Sequence, residues 1–406
     1  MTGTFLPPTI DIESLGLDQG AHLLIRRALA ALPAGQALCV EGHAPELALH
    51  LAAWCRQQGH ALQFDETTPP RVRARVISGG HQAGRWRGAL ATGSTNPTQD
   101  KAVAEKASAQ WGLAARGAQV EAGGPAFQFA LDRKQALWAD TAADIYAQAC
   151  AAQWQADTAI DWAAPFDLPD AIEDAVVQLM TYLVENENAA LLVPARHLGQ
   201  LHPHYREVAQ LLALQCADEA RHIDVFTRRI ALRGREPALS TAGGQASLKT
   251  LFEAPDFSTS AFLLSVLGEG TFVNLLNFLH EHAPDPVTRQ IARLAARDEA
   301  RHVAFGMAHL EYRLAREPEY HATLRNAVEQ RFDELASTAG LNEEVFDALV
   351  LLAAGALDTA SVARGFALVQ GLKQEMATGR RARLARLGFA KQEAQRLADL
   401  HTRNFM

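Results

Sequence analysis

The sequence predicts a mainly α protein: a four-helix bundle with extra C-terminal helices, preceded by a small N-terminal α/β domain. Three observations lead there. Hydrophobic residues make up 48% of the chain, largely alanine and leucine, and strand-forming runs are scarce, a balance that favours helix. Four long, glycine-poor stretches of helical character follow one another at residues 170 to about 197, 205 to about 232, 258 to about 282 and 286 to about 315. Finally, Asp218-Glu219-Ala220-Arg221-His222 recurs letter for letter as Asp298-Glu299-Ala300-Arg301-His302, on the second and fourth of these stretches.

At 406 residues the chain exceeds one ordinary core, so two domains, or one with appendages, are expected. The boundaries read as residues 1–66 for the α/β domain, 67–133 for an irregular linker or strap, 134–320 for the bundle, and 321–406 for the helices packing on it. A net charge of −8 gives no support to nucleic-acid binding. Arg380, Arg381, Arg383 and Arg386 form one basic cluster, read as a solvated helix start rather than a binding patch. Cys39, Cys55, Cys150 and Cys216 show no CxxC spacing and suit free thiols of a reducing compartment, with Cys39 and Cys55 in a core. Residues 1–11 lack the basic head and apolar core of a secretory signal, and no uninterrupted apolar stretch reaches membrane-spanning length. A cytoplasmic protein without nucleic-acid or membrane partners is the expectation.

In the N-terminal domain a helix pattern runs from His22 to Leu32 and turns at Pro33-Ala34-Gly35. The strand-like residues Ala37 to Glu41 follow, then a helix from Glu46 to Gln57 closed by Gly59, and a last short strand from Ala61 to Phe64. With Leu15-Gly16-Leu17 before the first helix and Trp54-Cys55 ahead of Gly59-His60, this segment resembles the TusA sulfur-carrier fold. That family carries sulfur on a cysteine just after a Gly-Leu pair; the matching position here is Gln19, followed by Gly20. The resemblance therefore implies a docking or oligomerisation role and no sulfur transfer. Beyond it, Pro69-Pro70, Gly79-Gly80, Asn96-Pro97 and Gly123-Gly124 punctuate a stretch with interleaved arginines, with one helix expected at Gln99 to Trp111. Trp138, Ile145, Tyr146 and Trp154 then lie on an amphipathic stretch that ends near Asp161-Trp162.

In each pentapeptide a glutamate precedes a histidine by three residues, which places both on one helix face, roughly 5–6 Å apart at Cβ. That geometry offers a carboxylate and an imidazole to a single metal centre. A carboxylate-bridged bundle needs one glutamate from each of the other two helices. The third helix offers Glu269, on the otherwise apolar stripe Phe262, Val266, Val273 and Leu276; a charge there is costly unless paired or metal-bound. The first helix offers Glu185 and Glu187. Glu187 continues the stripe Val176, Met180, Val184 and Leu191, whereas Glu185 aligns with Gln178, Thr181 and Asn188, so Glu187 is chosen. Glu187, Glu219, His222, Glu269, Glu299 and His302 form the resulting ligand set, suited to two iron or manganese ions. The rival reading takes the pentapeptides as surface charge repeats; Glu269 on a buried stripe weighs against it.

The Asp-Glu-x-Arg-His motifs, above all DEARHVAFG from Asp298 to Gly306, resemble the signature of ferritin-like diiron oxygenases and ribonucleotide-reductase-like proteins, over roughly residues 170–315. The resemblance implies a ferritin-like bundle, two iron ions or a manganese–iron pair, O2 as co-substrate, and an external electron donor such as a reductase or ferredoxin. It also implies that Asp218 holds His302 and Asp298 holds His222, with Arg221 and Arg301 answering those aspartates or lying in surface ion pairs. Radical-storing members carry a tyrosine where Phe226 stands, and arylamine N-oxygenases add a histidine where Ala295 stands. The pattern is closest to hydroxylating oxygenases without excluding N-oxygenation of a small organic substrate. A ferroxidase and a metal-free helical scaffold are the alternatives. Phe226, Phe262, Phe272 and Met307 are candidates for a substrate pocket or plain core, Phe405 and Met406 for a docked tail with His401 at the surface, and a homodimer is expected by the same resemblance.

Overall fold

The computed structural model describes residues 7–66, 70–80, 84–336 and 343–400. The chain divides into two compact units, Met1–Ala104 with Ser108–Gln128, and Glu105–Ala107 with Phe129–Met406. The tail expected to dock through Phe405 and Met406, and His401 with it, lies outside the described residues.

The first unit runs β1 (Thr9–Asp11), α1 (Ala21–Ala30), β2 (Ala37–Gly42), α2 (Leu47–Gln58), β3 (Ala61–Glu66) and β4 (Val72–Ile77). Its sheet has the order β1-β2-β4-β3, with β1 parallel to β2 and β4 antiparallel to both of its neighbours. Strand β4 corrects the boundary expected at residue 66. Val72, Ala74 and Val76 are buried while Arg73 and Arg75 between them point out to Glu41 and Asp65. That alternation is a half-buried strand, and the arginines make it read as a polar linker. Ile25, Leu29, Leu47 and Leu51 of the two helices pack with Val40, Ala74 and Val76. Cys39 and Cys55 are buried here, as expected. The helix expected at 99–111 is replaced by turns and a short 3-10 turn at Ala109–Trp111, because Lys101 sits at φ +57°, outside right-handed helix. Two short strands, β5 (Leu90–Ala91) and β6 (Gln119–Val120), pair there instead.

The second unit is helical: α3 (Ala142–Ala151), α4 (Ala156–Ala159), α5 (Asp170–Leu198), α6 (Arg206–Ala231), α7 (Ala242–Phe252), α8 (Phe257–Ala261), a π-helical segment (Phe262–Glu269), α9 (Gly270–His282), α10 (Pro286–Leu314), α11 (Tyr320–Ala336), α12 (Glu343–Ala354), α13 (Thr359–Arg386) and α14 (Lys391–Leu400). The four expected long helices are α5, α6, the run α8 to α9, and α10. Their starts follow local chemistry: Asp256 accepts the Ser258 and Thr259 N–H groups, and Asp285 accepts that of Thr288 beside Pro286. The crossover between the second and third carries α7, capped by Thr241 on the Gly244 N–H. In the C-terminal segment the helical run bends by 118° between α12 and α13. Gly355 at φ +67° ends one half, and Asp358 caps the other through the Ala360 and Ser361 N–H groups.

Phe257–His282 reaches the length and mean hydropathy of a membrane span, although Glu269 interrupts its apolar run. It is apolar nearly all round because it is the central bundle helix, with 83% of its most apolar window buried in protein. One fully buried guanidinium joins three helices. Arg229 of α6 donates to both oxygens of Glu173 on α5, at 2.7 and 3.0 Å, and to Asp285 and Thr288 at the start of α10. Removing one partner of a buried pair strands the other charge, at about 3–5 kcal/mol. Glu173→Ala should lower unfolding stability by roughly that amount in a urea titration, while Asp170→Ala, whose carboxylate is exposed, should shift it by about 0.5 kcal/mol or less.

Candidate metal centre

The structure brings all six sequence-chosen residues together in the bundle core. Glu187 comes from α5, Glu219 and His222 from α6, Glu269 from the end of the π-helical segment, and Glu299 and His302 from α10. They form two overlapping groups, Glu187–Glu219–His222–Glu299 and Glu219–Glu269–Glu299–His302, each able to offer ligand atoms within 4.8 Å of one another. Glu219 and Glu299 belong to both, as bridging carboxylates would. Glu185, the rival on the first helix, is half-buried and faces α7, where a Cβ on Gly244 would stand 3.9 Å from its Oε2.

Both histidines turn Nδ1 to the carboxylates. His222 Nδ1 lies 3.1, 3.4 and 3.6 Å from Glu219, Glu299 and Glu187, and His302 Nδ1 lies 3.0 and 3.3 Å from Glu219 and Glu299. The other nitrogens face the neighbouring helix: His222 Nε2 meets Asp298 at 3.2 Å and His302 Nε2 meets Asp218 at 3.4 Å. An Nε2–H donated to an aspartate leaves Nδ1 with its lone pair towards a metal.

Charge in this core is uncompensated by solvent. Burial, reinforced by Glu299, pushes the Glu187 and Glu269 carboxyls well above the carboxylate range, with Glu219 adding to both. Burial also opposes charge on Glu219, yet His302 and His222 hold it well below that range. The two imidazoles resist their own burial and are held well above the ordinary value, His222 by Glu187 and Asp298, His302 by Glu219 and Asp218. The cluster on its own thus keeps protons where divalent ions would replace them. One oxygen each of Glu187, Glu219, Glu269 and Glu299 is buried without a hydrogen-bond donor. Buried carboxylate oxygens without donors, beside two imidazoles, fit metal ions.

Around these residues, Arg221 and Arg301 meet the aspartates that the sequence reading paired them with, whereas Gln153, Trp154 and Gln215 escaped that reading. Arg221 bridges Asp218 and Asp298, and Arg301 donates to Asp298. Gln153 and Trp154, just after α3, add 2.9 and 2.8 Å hydrogen bonds to Asp218 and Asp298. Arg221 lies 4.5 Å over the Trp154 ring, which stacks in turn on His222. Gln215, one turn before Glu219, donates to Glu269 at 3.0 Å. A polar residue on that buried face was the available signal.

The basic cluster near residue 380 is also corrected. It lies in the last turns of α13, where Arg380 is 1% exposed. Arg383 donates through Nε to the Val266 carbonyl at 2.7 Å, and Arg380 through Nη1 to Thr271 at 3.2 Å. The long stems bury against the third helix, an arrangement composition cannot distinguish from a solvated stripe. Glycine at 270 makes room, since a Cβ there would come within 2.5 Å of the Arg383 guanidinium.

Of the aromatic candidates, Phe272 borders a cavity of about 20 Å³ beside Glu187, Glu269 and Glu299, together with Ala190, Leu251 and Leu264. Val273, expected on the Glu269 stripe, is only half-buried, because the wider π-helical turns shift the facing residues. Phe226 packs beside His222 and Phe262 stacks on Phe389, with Met307 in the same core.

No family model matches the chain, and no curated protein matches it in sequence. Among solved structures, a variant of an R2-like ligand-binding oxidase with aerobically reconstituted Mn/Fe cofactor aligns over 62% of this chain and 94% of its own, at 17% identity and TM-score 0.48. Protein 19 from Synechococcus, with aldehyde deformylating oxidase activity, aligns over 56% and 96%, at 16% identity and TM-score 0.42.

The placement of Glu185 and Glu187 separates their roles. After anaerobic loading with ferrous ion, Glu187→Ala should fall from two metals per chain towards one by elemental analysis, while Glu185→Ala should keep two.

Proposed function

We propose that the protein is an O2-activating, non-haem dimetal oxygenase that hydroxylates or N-oxygenates a small organic substrate. Two iron ions, or a manganese–iron pair, serve as its cofactor, and an external reductase or ferredoxin supplies electrons. The single observation that carries this reading is the pair of overlapping residue groups sharing Glu219 and Glu299 in a buried core. Glu187, Glu219, His222 and Glu299 would hold one ion, and Glu219, Glu269, Glu299 and His302 the other. Four carboxylates against two divalent cations leave the core neutral, which no arrangement of the unpaired side chains does without uptake of protons.

Such a pair, when bound, supplies reductive activation of O2 and the oxidising power for oxygen insertion. The chain's residues do the rest. Asp298 and Asp218 keep the protons of His222 and His302 on Nε2 and fix the ring planes. Arg221, Arg301, Gln153 and Trp154 hold those aspartates in place by hydrogen bonds; Asp298 sits well below its usual range, where burial is outweighed by His222 and Trp154. Gln215 turns one oxygen of Glu269 towards itself and leaves the other for the centre. Leu251, Leu264 and Phe272 exclude bulk water. The adjoining cavity has room for one water-sized molecule, so an organic substrate enters by displacing lining side chains. The crossover helix α7 contributes one of them, Leu251, and is tied to α11 by the buried Arg331 donating to Ser247 at 2.8 Å. A cytoplasmic homodimer belongs to the same reading.

Wild-type protein loaded anaerobically with ferrous ion should bind two metals per chain and consume O2 when a reductant and substrate are present. His222→Ala and Glu269→Ala should each lose roughly a hundredfold in metal affinity or O2 uptake. Two tightly held metals and full uptake in both variants would contradict the assignment. Iron mineral formed under loading would favour the ferroxidase, and less than one metal per wild-type chain the metal-free scaffold.

A further inference from the structure

A cavity lies within the first unit, and none of the six carboxylate and imidazole residues lines it. Its volume is about 650 Å³, within the ~300–1,000 Å³ of small-molecule sites. Its floor is apolar, formed by Leu29 and Leu32 at the end of α1 and by Pro33 in the following turn.

The rim is built. Gly84 sits at φ +59°, and a Cβ there would come within 2.3 Å of the Gln58 carbonyl, so only glycine lets the chain cross the end of α2 at that point. Gly80, at φ +65°, approaches Ala34 in the same way. Arg85 then closes the rim through a bidentate pair with Glu121, at 2.6–3.0 Å, next to the β5–β6 ladder. Trp86 leaves 46% of its surface exposed there.

The charged groups lining this space carry a surplus of donors. Glu121 is engaged by Arg85, while Arg26 of α1 has no carboxylate partner among the described residues. Two guanidiniums against one carboxylate leave one positive charge, in a chain whose net charge is −8. His60 accepts the Gly79 N–H through Nδ1 at 3.1 Å, so its neutral ring carries the proton on Nε2 and is a donor there. Burial keeps that ring in the neutral form. Ser78 adds a buried hydroxyl.

We infer that this cavity is a second small-molecule site, taking an aromatic carboxylate with its ring between Trp86 and the Leu29–Leu32–Pro33 floor and its anionic group on Arg26. The inference is independent of the metal centre. An apolar floor under an indole selects a flat hydrophobic body, and the surplus cation with neighbouring donors selects an acceptor-rich anion over a neutral or basic group.

The test is calorimetric titration of the full-length protein with 2-naphthoate. One saturable site per chain is expected, with at least tenfold weaker binding of the uncharged 2-naphthalenemethanol. Arg26→Glu and the cavity-filling Ala30→Trp, both at exposed positions of α1, should each weaken binding at least tenfold without changing metal content. Arg71→Glu, whose partner is Glu41 outside the cavity, should bind as wild type does. Absence of saturable binding at millimolar naphthoate, or binding that neither α1 variant alters, would overturn the inference.

Discussion

Four carboxylates buried in one low-dielectric core are the constraint on which the helical unit depends. An isolated ionised carboxylate transferred to such a medium costs far more than a whole domain's stability, so Glu187, Glu219, Glu269 and Glu299 must be answered by protons, imidazoles or metal ions. The two histidines answer part of the charge directly. The surrounding aspartates and arginines then neutralise each other one layer out, with Arg221 spanning Asp218 and Asp298. Buried charge is thus arranged in shells of alternating sign, and the innermost shell is the one left with oxygens lacking donors.

Helical geometry meets this constraint at a local cost. Three of the helices that carry the buried glutamates are α-helical there, but the third widens into a π-helical segment that ends at Glu269. Such segments are rare and concentrate at functional sites. Here α13 supports it from outside: Arg383 reaches the Val266 carbonyl across the space left by Gly270, although burial brings its guanidinium down to about 10. The C-terminal helices therefore act on the position of Glu269 and are more than packing added to a complete bundle.

Much of this was legible in the sequence because the chemistry is repetitive. An i,i+3 Glu–His pair is visible in any helical register, and its exact duplication pointed to both halves of the buried cluster; a carboxylate on an apolar stripe pointed to Glu269, and periodicity favoured Glu187 over Glu185. What escaped reading depends on contacts distant in sequence. Gln153 and Trp154 meet Asp218 and Asp298 across 65 and 144 positions, and nothing local marks them. Arg380 and Arg383 look like any solvated basic turn until α13 is laid on the third helix. Strand β4 hid behind its arginines, which pair with Glu41 and Asp65 on the exposed side of the sheet. The break at Gly355 and Asp358 lay in plain view as a left-handed glycine followed by a cap, and was outweighed by the apolar run around it.

The central claim is that the cluster would hold two metal ions, with Glu219 and Glu299 within reach of both. Crystals grown from metal-loaded protein, with anomalous differences collected on either side of the iron and manganese edges, test it most directly. The account predicts two anomalous peaks about 3.5–4 Å apart between Glu219 and Glu299, one beside His222 and one beside His302. A single peak, or none within the bundle core of protein that retains its metal, would contradict it.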